Sequence, residues 1–206
     1  MSDVVQLPMF PLGSVLFPAM PLPLKVFEPR YLQLLQDVLP DPVREFGVVL
    51  IERGQEVGGG EQRFGVGTVA QVADLKVGDG YLSVLTEGTR RIEVVEWLDD
   101  APYPRATVRD LPPLQWDESL RARRDEVEAL VRATLARLSE VQESSWSSTV
   151  QLDDDPVDAL WQLAAIAPVG PLDQLGLLKA TSAAALLDAV EDVTRDAALT
   201  LEARGL

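Results

Sequence analysis

The 206 residues carry 33 acidic and 18 basic side chains, a formal net charge of −15, with no Cys, no His and no Asn. With 47% hydrophobic and 25% charged residues, this is a globular composition, able to bury roughly 70% of the unfolded chain's surface without a disulfide or metal staple. It excludes thiol nucleophiles, zinc sites built on Cys or His and every catalytic constellation that needs imidazole, and its negative field disfavours phosphate backbones and anionic membranes as partners.

The first element is the hydrophobic stretch around Phe10, Leu16, Phe17, Met20, Leu22 and Leu24. Pro8, Pro11, Pro18, Pro21 and Pro23 keep it too short for a membrane span and set it in extended form, as a strand pair. The first basic residue is Lys25, after Asp3, so the positive start of a signal peptide is missing and a cytoplasmic location is expected. Pro29 opens a helix in which Tyr31, Leu34, Leu35 and Val38 recur at helical spacing until Pro40 stops it. Arg30 lies in the first turn, where a cation is unfavourable unless paired, so a carboxylate partner is expected, with Glu28 a candidate.

Phe46–Ile51 is a continuous apolar run and reads as a covered strand. Gly58-Gly59-Gly60 reads as a loop tip, and Val66, Thr68, Ala70 and Val72 form one side of an alternating strand, with Asp74 next in the series. Turns at Gly78-Asp79-Gly80 and at Glu87-Gly88-Thr89 then separate expected strands over 81–85 and 90–95, and a last strand covers 103–108. Strands about ten residues apart suggest a barrel.

Near residue 112 the pattern becomes helical. Asp117 is an expected N-cap, followed by a stripe of Leu120, Val127, Leu130, Val131, Leu135 and Leu138, with Glu128 and Arg132 an i,i+4 ion pair. A Ser- and Asp-rich loop over 139–155 carries Trp146, expected to tuck onto its own domain. Asp155-Pro156 starts the next helix, Pro168–Pro171 breaks it, and a short helix passes through Leu175 and Leu178. Thr181 or Ser182 caps a last one lined by Leu186, Val190, Val193 and Ala197 and ending at Gly205. The expected fold is α+β: a β-rich barrel subdomain with an inserted helix over 1–112, then a helical subdomain over 113–206.

Few motifs point to catalysis. Gly65-Val66-Gly67-Thr68-Val69-Ala70 spells a dinucleotide fingerprint, but its continuation is alternating and β-branched, so a strand with a close backbone approach is the better account. The glycine triplet lacks the G-K-[ST] ending of a phosphate-binding loop. Asp153-Asp154-Asp155 could offer hard oxygens to a divalent cation, but without calcium-loop spacing, capping of the next helix explains it better. Lys25, Lys76 and Lys179 complete no S-x-x-K motif. No catalytic, cofactor or metal residue is therefore assigned.

Phe10-Pro11-Leu12-Gly13-Ser14-Val15-Leu16-Phe17-Pro18, followed by Leu22-Pro23-Leu24-Lys25-Val26-Phe27-Glu28-Pro29-Arg30-Tyr31, closely resembles the N-terminal, substrate-binding domain of Lon proteases. Phe46–Val49, Val66–Ala70, Glu87-Gly88 with Arg90-Arg91, and Pro102-Tyr103 resemble that domain's later strands and turns. The resemblance implies a PUA-like barrel followed by helices, with structural roles for Pro11, Gly13, Pro18, Phe27, Glu28, Pro29, Arg30, Tyr31, Gly67, Gly88 and Arg91. The family often has His where Lys25 stands here. No ATPase loop or Ser-Lys dyad accompanies the motif, so the resemblance carries substrate binding and not proteolysis. The expected function is noncatalytic recognition of polypeptide clients or a protein partner by Phe10, Leu16, Phe17 and Met20, with no cofactor. The alternative is a PUA-like RNA- or nucleotide-binding protein, which charge disfavours, since Arg90-Arg91 is the only adjacent basic pair in the β-rich half and lies beside acids.

Overall fold

Among the described residues before 113, strand-like apolar runs and one stretch of helical spacing build six strands and one helix. The computed structural model describes residues 4–53, 62–140 and 146–203, so the Gly58–Gly60 loop tip and Gly205 lie outside the described residues. It divides into two units, Met1–Pro113 and Leu114–Leu206.

In the first unit the elements run β1 (Val4–Leu12), β2 (Pro21–Val26), α1 (Pro29–Val38), β3 (Glu45–Arg53), β4 (Gln62–Val77), β5 (Leu82–Leu98) and β6 (Arg105–Asp110). The strand order is β2-β5-β4-β3-β1-β6, and β5 also pairs with β6, which closes β1, β3, β4, β5 and β6 into a ring. All pairings are antiparallel except β1 with β3. Strand β5 serves two neighbours in turn: Leu82–Glu87 pairs with β2, and Ile92–Leu98 with β6. The ring is filled by Leu7, Met9, Val49, Val69, Ile92, Ala106 and Val108, with Val94 and Trp97 against them. Helix α1 buries Tyr31, Leu34, Leu35 and Val38, each contributing about 1.5–3 kcal/mol of transfer free energy. The Tyr31 ring stacks on Phe10 with centroids 4.0 Å apart.

The expected turn at Glu87-Gly88-Thr89 does not exist, because the chain runs straight through it inside β5. Gly88 is there for a different reason. A Cβ on it would lie 2.1 Å from the Phe17 carbonyl oxygen, and its backbone accepts from Ala19 N and donates to Met20 O, 2.8 and 2.9 Å. The segment between β1 and β2 thus crosses β5 backbone to backbone, and Ala19 reaches it with φ +56°, in the left-handed region. Gly67 serves the same purpose between β3 and β4, where a Cβ would stand 2.0 Å from the Val48 carbonyl oxygen. Its neighbour Thr68 donates from Oγ1 to Leu16 O at 2.6 Å. Thr68 of the letters G-T and Gly88 of the letters E-G are therefore seats for the Leu16–Met20 segment.

In the second unit Asp117 caps a 3-10 turn over Glu118–Leu120 that leads into α2 (Arg121–Ser139). Helix α3 (Pro156–Ile166) starts on Asp155, whose Oδ1 accepts from Val157 N and Asp158 N at 2.9 and 3.1 Å. The last of the three aspartates is thus a cap. After α4 (Pro171–Leu178), Ser182 Oγ accepts from Ala185 N at 3.1 Å at the start of α5 (Ala183–Ala203). Helix α5 packs on both α2 and α3, so its buried face is broader than the expected stripe. Leu187, Thr194 and Leu201 join Leu186 and Val190, while Val193 and Ala197 are half-buried. Glu191, 7% exposed, bridges Arg123 of α2 and Arg195.

A candidate binding groove beside strand β2

Strand β2, Pro21-Leu22-Pro23-Leu24-Lys25-Val26, alternates in burial, with 21, 23 and 25 exposed and Leu24 and Val26 buried. Proline has no N–H to give a ladder, so pairing with β5 runs through the even residues. In agreement, Gly88 N donates to Met20 O and Thr86 Oγ1 donates to Leu22 O, 2.9 and 3.1 Å. The carbonyls of Pro21, Pro23 and Lys25 therefore face away from β5. Among the described residues β2 pairs with β5 alone, so this is a sheet edge.

Along that edge lies a groove of about 300 Å³. Leu22, Pro23, Leu24, Lys25 and Val26 form one wall, and Phe10, Leu12, Ser14 and Tyr31 the other, with Phe27 and Glu28 at the entrance to α1. Phe27 is 55% exposed, a large apolar side chain held in solvent between two ordered elements. The next four residues fix its position. Glu28 stands at the N-cap of α1 in extended conformation with Pro29 at the first helical position, and its carbonyl accepts from Tyr31 N and Leu32 N at 3.1 and 3.0 Å. The expected partner of Arg30 is Glu28: Nε lies 3.2 Å from Oε2, with both side chains 16% exposed. The Arg30 guanidinium also covers the Tyr31 ring at 4.4 Å. The motif F-E-P-R-Y thus turns the chain from edge strand to helix with its first aromatic outside and its second in the core. Lys25 lines the same groove, its Nζ 5.6 Å from the Tyr81 ring centroid.

The four residues expected to meet a polypeptide are withdrawn from solvent. Phe10, Leu16, Phe17 and Met20 are all buried, Phe17 at 1% exposure: the last three lie in the segment that crosses β4 and β5 on Thr68 and Gly88, and Phe10 lies in β1, stacked with Tyr31. Of the four, Phe10 lines the groove. Pro11 and Pro18 are buried as well, and Gly13 is exposed in the bend after β1. Leu22 and Phe27 also line the groove, and the P-x-P spacing marks in the sequence which side of β2 is paired.

The basic pair is fully engaged. Arg90 makes a bidentate pair with Glu45, both bonds 2.7 Å, and its Nε donates to Asp110 at 3.0 Å, which raises its pKa further above the usual guanidinium range. Arg91 is buried; its Nη2 donates to Pro112 O at 2.7 Å and its carbonyl accepts from Leu111 N. A second, polar cavity of about 590 Å³ lies in the helical unit between α2 and residues 148–154. There Arg132 donates to Glu128, Ser148 O and Val150 O at 2.7–2.9 Å, so its charge holds the loop. Trp146, beside that loop, is half-buried.

Residues 6–195 match the family model described as the ATP-dependent protease La (LON) substrate-binding domain. The chain is 37% identical over 111 residues to Lon protease 2 of Myxococcus xanthus, covering 52% of this chain and 13% of that protein. It is 32% identical over 144 residues to Lon protease 2 of Herpetosiphon aurantiacus, covering 68% and 17%. The chain thus spans less than a fifth of the length of these curated relatives. Among solved structures, the Lon N-terminal domain protein from Xanthomonas campestris superposes with TM-score 0.61 at 28% identity, over 89% of this chain and 95% of that one. The N-terminal domain of the Mycobacterium avium complex Lon protease superposes with TM-score 0.65 over 93% and 99%. At 14% identity, that second likeness speaks for the fold alone. Motif, fold and family model agree: the chain belongs to the substrate-binding-domain family of the ATP-dependent protease La (LON).

Proposed function

We propose that this chain is a noncatalytic module that binds polypeptide clients in the cytoplasm, and that the groove beside β2 is where a client docks. The relatives' name, Lon protease, makes a protein substrate the natural ligand of a substrate-binding domain. The observation that carries the reading is an apolar groove with a 55% exposed phenylalanine at its mouth. A large apolar side chain kept in water beside a cleft of matching character is the anatomy of an interaction hot spot. Engagement of Arg90 and Arg91 by carboxylates and backbone speaks against phosphate recognition.

The test is calorimetric titration of the chain with a permanently unfolded protein, reduced and alkylated, beside a Phe27→Ser variant. Saturable binding weakened at least tenfold by Phe27→Ser, with an unchanged melting temperature, is the expected result. No binding of the unfolded protein, or a steeply salt-dependent affinity for RNA in its place, would overturn the reading.

A further inference from the structure

The outer edge of β2 has an unusual hydrogen-bonding character. Three residues face outward, Pro21, Pro23 and Lys25, and two of them lack an N–H. The edge therefore offers three carbonyl acceptors, about 7 Å apart, and one backbone donor. A strand added to an edge needs acceptors and donors in alternation. Here the two carbonyls of an incoming strand opposite Pro21 and Pro23 would lose water and gain no partner, at a cost comparable to any buried unsatisfied group. Proline and an outward lysine are also the devices that keep edge strands from pairing. The groove is thus open to side chains while its edge is closed to backbone.

What satisfies an acceptor-only edge is a donor that needs nothing in return. Arginine and lysine side chains are that: five or three N–H donors and no acceptor. Charge favours them too. The chain carries −15, and Glu87, exposed, is the cross-strand partner of Pro21 on β5. The one opposing charge on the edge is Lys25, whose Nζ leans over Tyr81; Glu28, at the groove's end, is held by Arg30. Resting on the polypeptide-binding reading above, we infer that the groove selects an apolar side chain flanked by arginine or lysine. The apolar group enters between Leu22 and Phe27, and the flanking cations donate to the Pro21 and Pro23 carbonyls. Recognition does not proceed by strand addition.

The test uses three short fluorescent peptides with the same central leucine pair: flanked by Arg, flanked by Glu, and flanked by Arg with N-methylated backbone amides at the central residues. Anisotropy titrations at 0.3 M salt suppress attraction by the distant field. The Arg-flanked peptide should bind at least tenfold tighter than the Glu-flanked one, and N-methylation should change its affinity less than threefold. Phe27→Ser should cost the Arg-flanked peptide at least tenfold, and Lys25→Gln should tighten it several-fold by removing the opposing charge. Equal binding of Arg- and Glu-flanked peptides, or loss of binding on N-methylation, would overturn this inference and leave the polypeptide reading standing. Arg preference insensitive to Phe27→Ser would overturn it too, since that is the signature of bulk charge. Failure of all three peptides together with the unfolded protein would overturn both.

Discussion

A Cβ added at Gly67 or Gly88 in the barrel unit would come within 2.0 or 2.1 Å of a backbone carbonyl oxygen, whereas one added at Gly176, in α4 of the helical unit, meets nothing within 4 Å. The same residue type therefore has opposite meanings at these positions of the two units. In the barrel, a segment without secondary structure is threaded across β4 and β5, and glycine is what lets backbones touch. In the helical unit, elements meet through side chains, with Leu160, Leu163, Leu186 and Val190 fully buried and arginine–carboxylate pairs at the seams. The first kind of construction tolerates little variation at its contact points. The second tolerates many sequences of similar volume, and this explains why the family's recognisable letters fall almost entirely before residue 104.

Six substitutions probe that contrast. Gly88→Ala and Gly67→Ala should each destabilise by about 3 kcal/mol or more, since backbone atoms cannot rotate aside as side chains do. A fall in melting temperature of roughly 6–12 °C follows, and unchanged melting would refute the close approach. Next comes the tie between α1 and the chain just before β6, where the Tyr103 hydroxyl donates to Asp37 Oδ2 at 2.7 Å. Burial first, and the Asp37 carboxylate second, push the Tyr103 pKa up to about 12. Because the raised value favours the protonated form in the folded state, this contribution is complete below pH 10. It is lost as pH climbs from 10 towards 12, by roughly 2–3 kcal/mol. Urea denaturation at pH 8 and pH 11 should show Tyr103→Phe losing less stability over that interval than the parent.

Glu28→Ala or Arg30→Ala should cost about 1 kcal/mol each, as a partly buried pair that also caps the Tyr31 ring; thermal melts unmoved in both would remove the pairing from the account. The smallest effect has the opposite sign. Gly176→Ala, in open space within a helix, should stabilise by about 0.5–1 kcal/mol through loss of unfolded-state freedom, and a loss of stability there would break the contrast between the units.

Most of the architecture was legible because alternation, proline and caps act locally. Pro29 with Tyr31, Leu34, Leu35 and Val38 reads as a helix and is one; Asp117, Asp155 and one of Thr181 or Ser182 read as caps, and Asp117, Asp155 and Ser182 accept the N–H groups. What misled was a residue whose reason is not local. Gly88 looks like a turn because turns are the commonest use of Glu-Gly-Thr, but its partner is Phe17, 71 positions away and visible only once the strands are paired. The residues expected at a binding surface are buried for a related reason. A dense hydrophobic run marks either a core or an interface, and hydrophobicity alone does not separate them. Leu16, Phe17 and Met20 go to the core because Thr68 and Gly88 hold their backbone down, and Phe10 because β1 pairs with β3 beneath the Tyr31 ring. Phe27 stays outside because Pro29 commits the chain to a helix whose buried face begins at Tyr31. A period-2 reading of Pro21 and Pro23 carried the missing information about the edge.

The most direct test of the groove as the binding site is a residue-resolved one. Amide and methyl resonances of the intact chain are followed while an unfolded, alkylated protein is titrated in. The account predicts saturable shifts concentrated on Leu22, Leu24, Val26 and Phe27, with the Leu114–Leu206 unit unmoved and the shifts abolished by Phe27→Ser. Shifts confined to the helical unit, or spread evenly over the acidic surface, would contradict it.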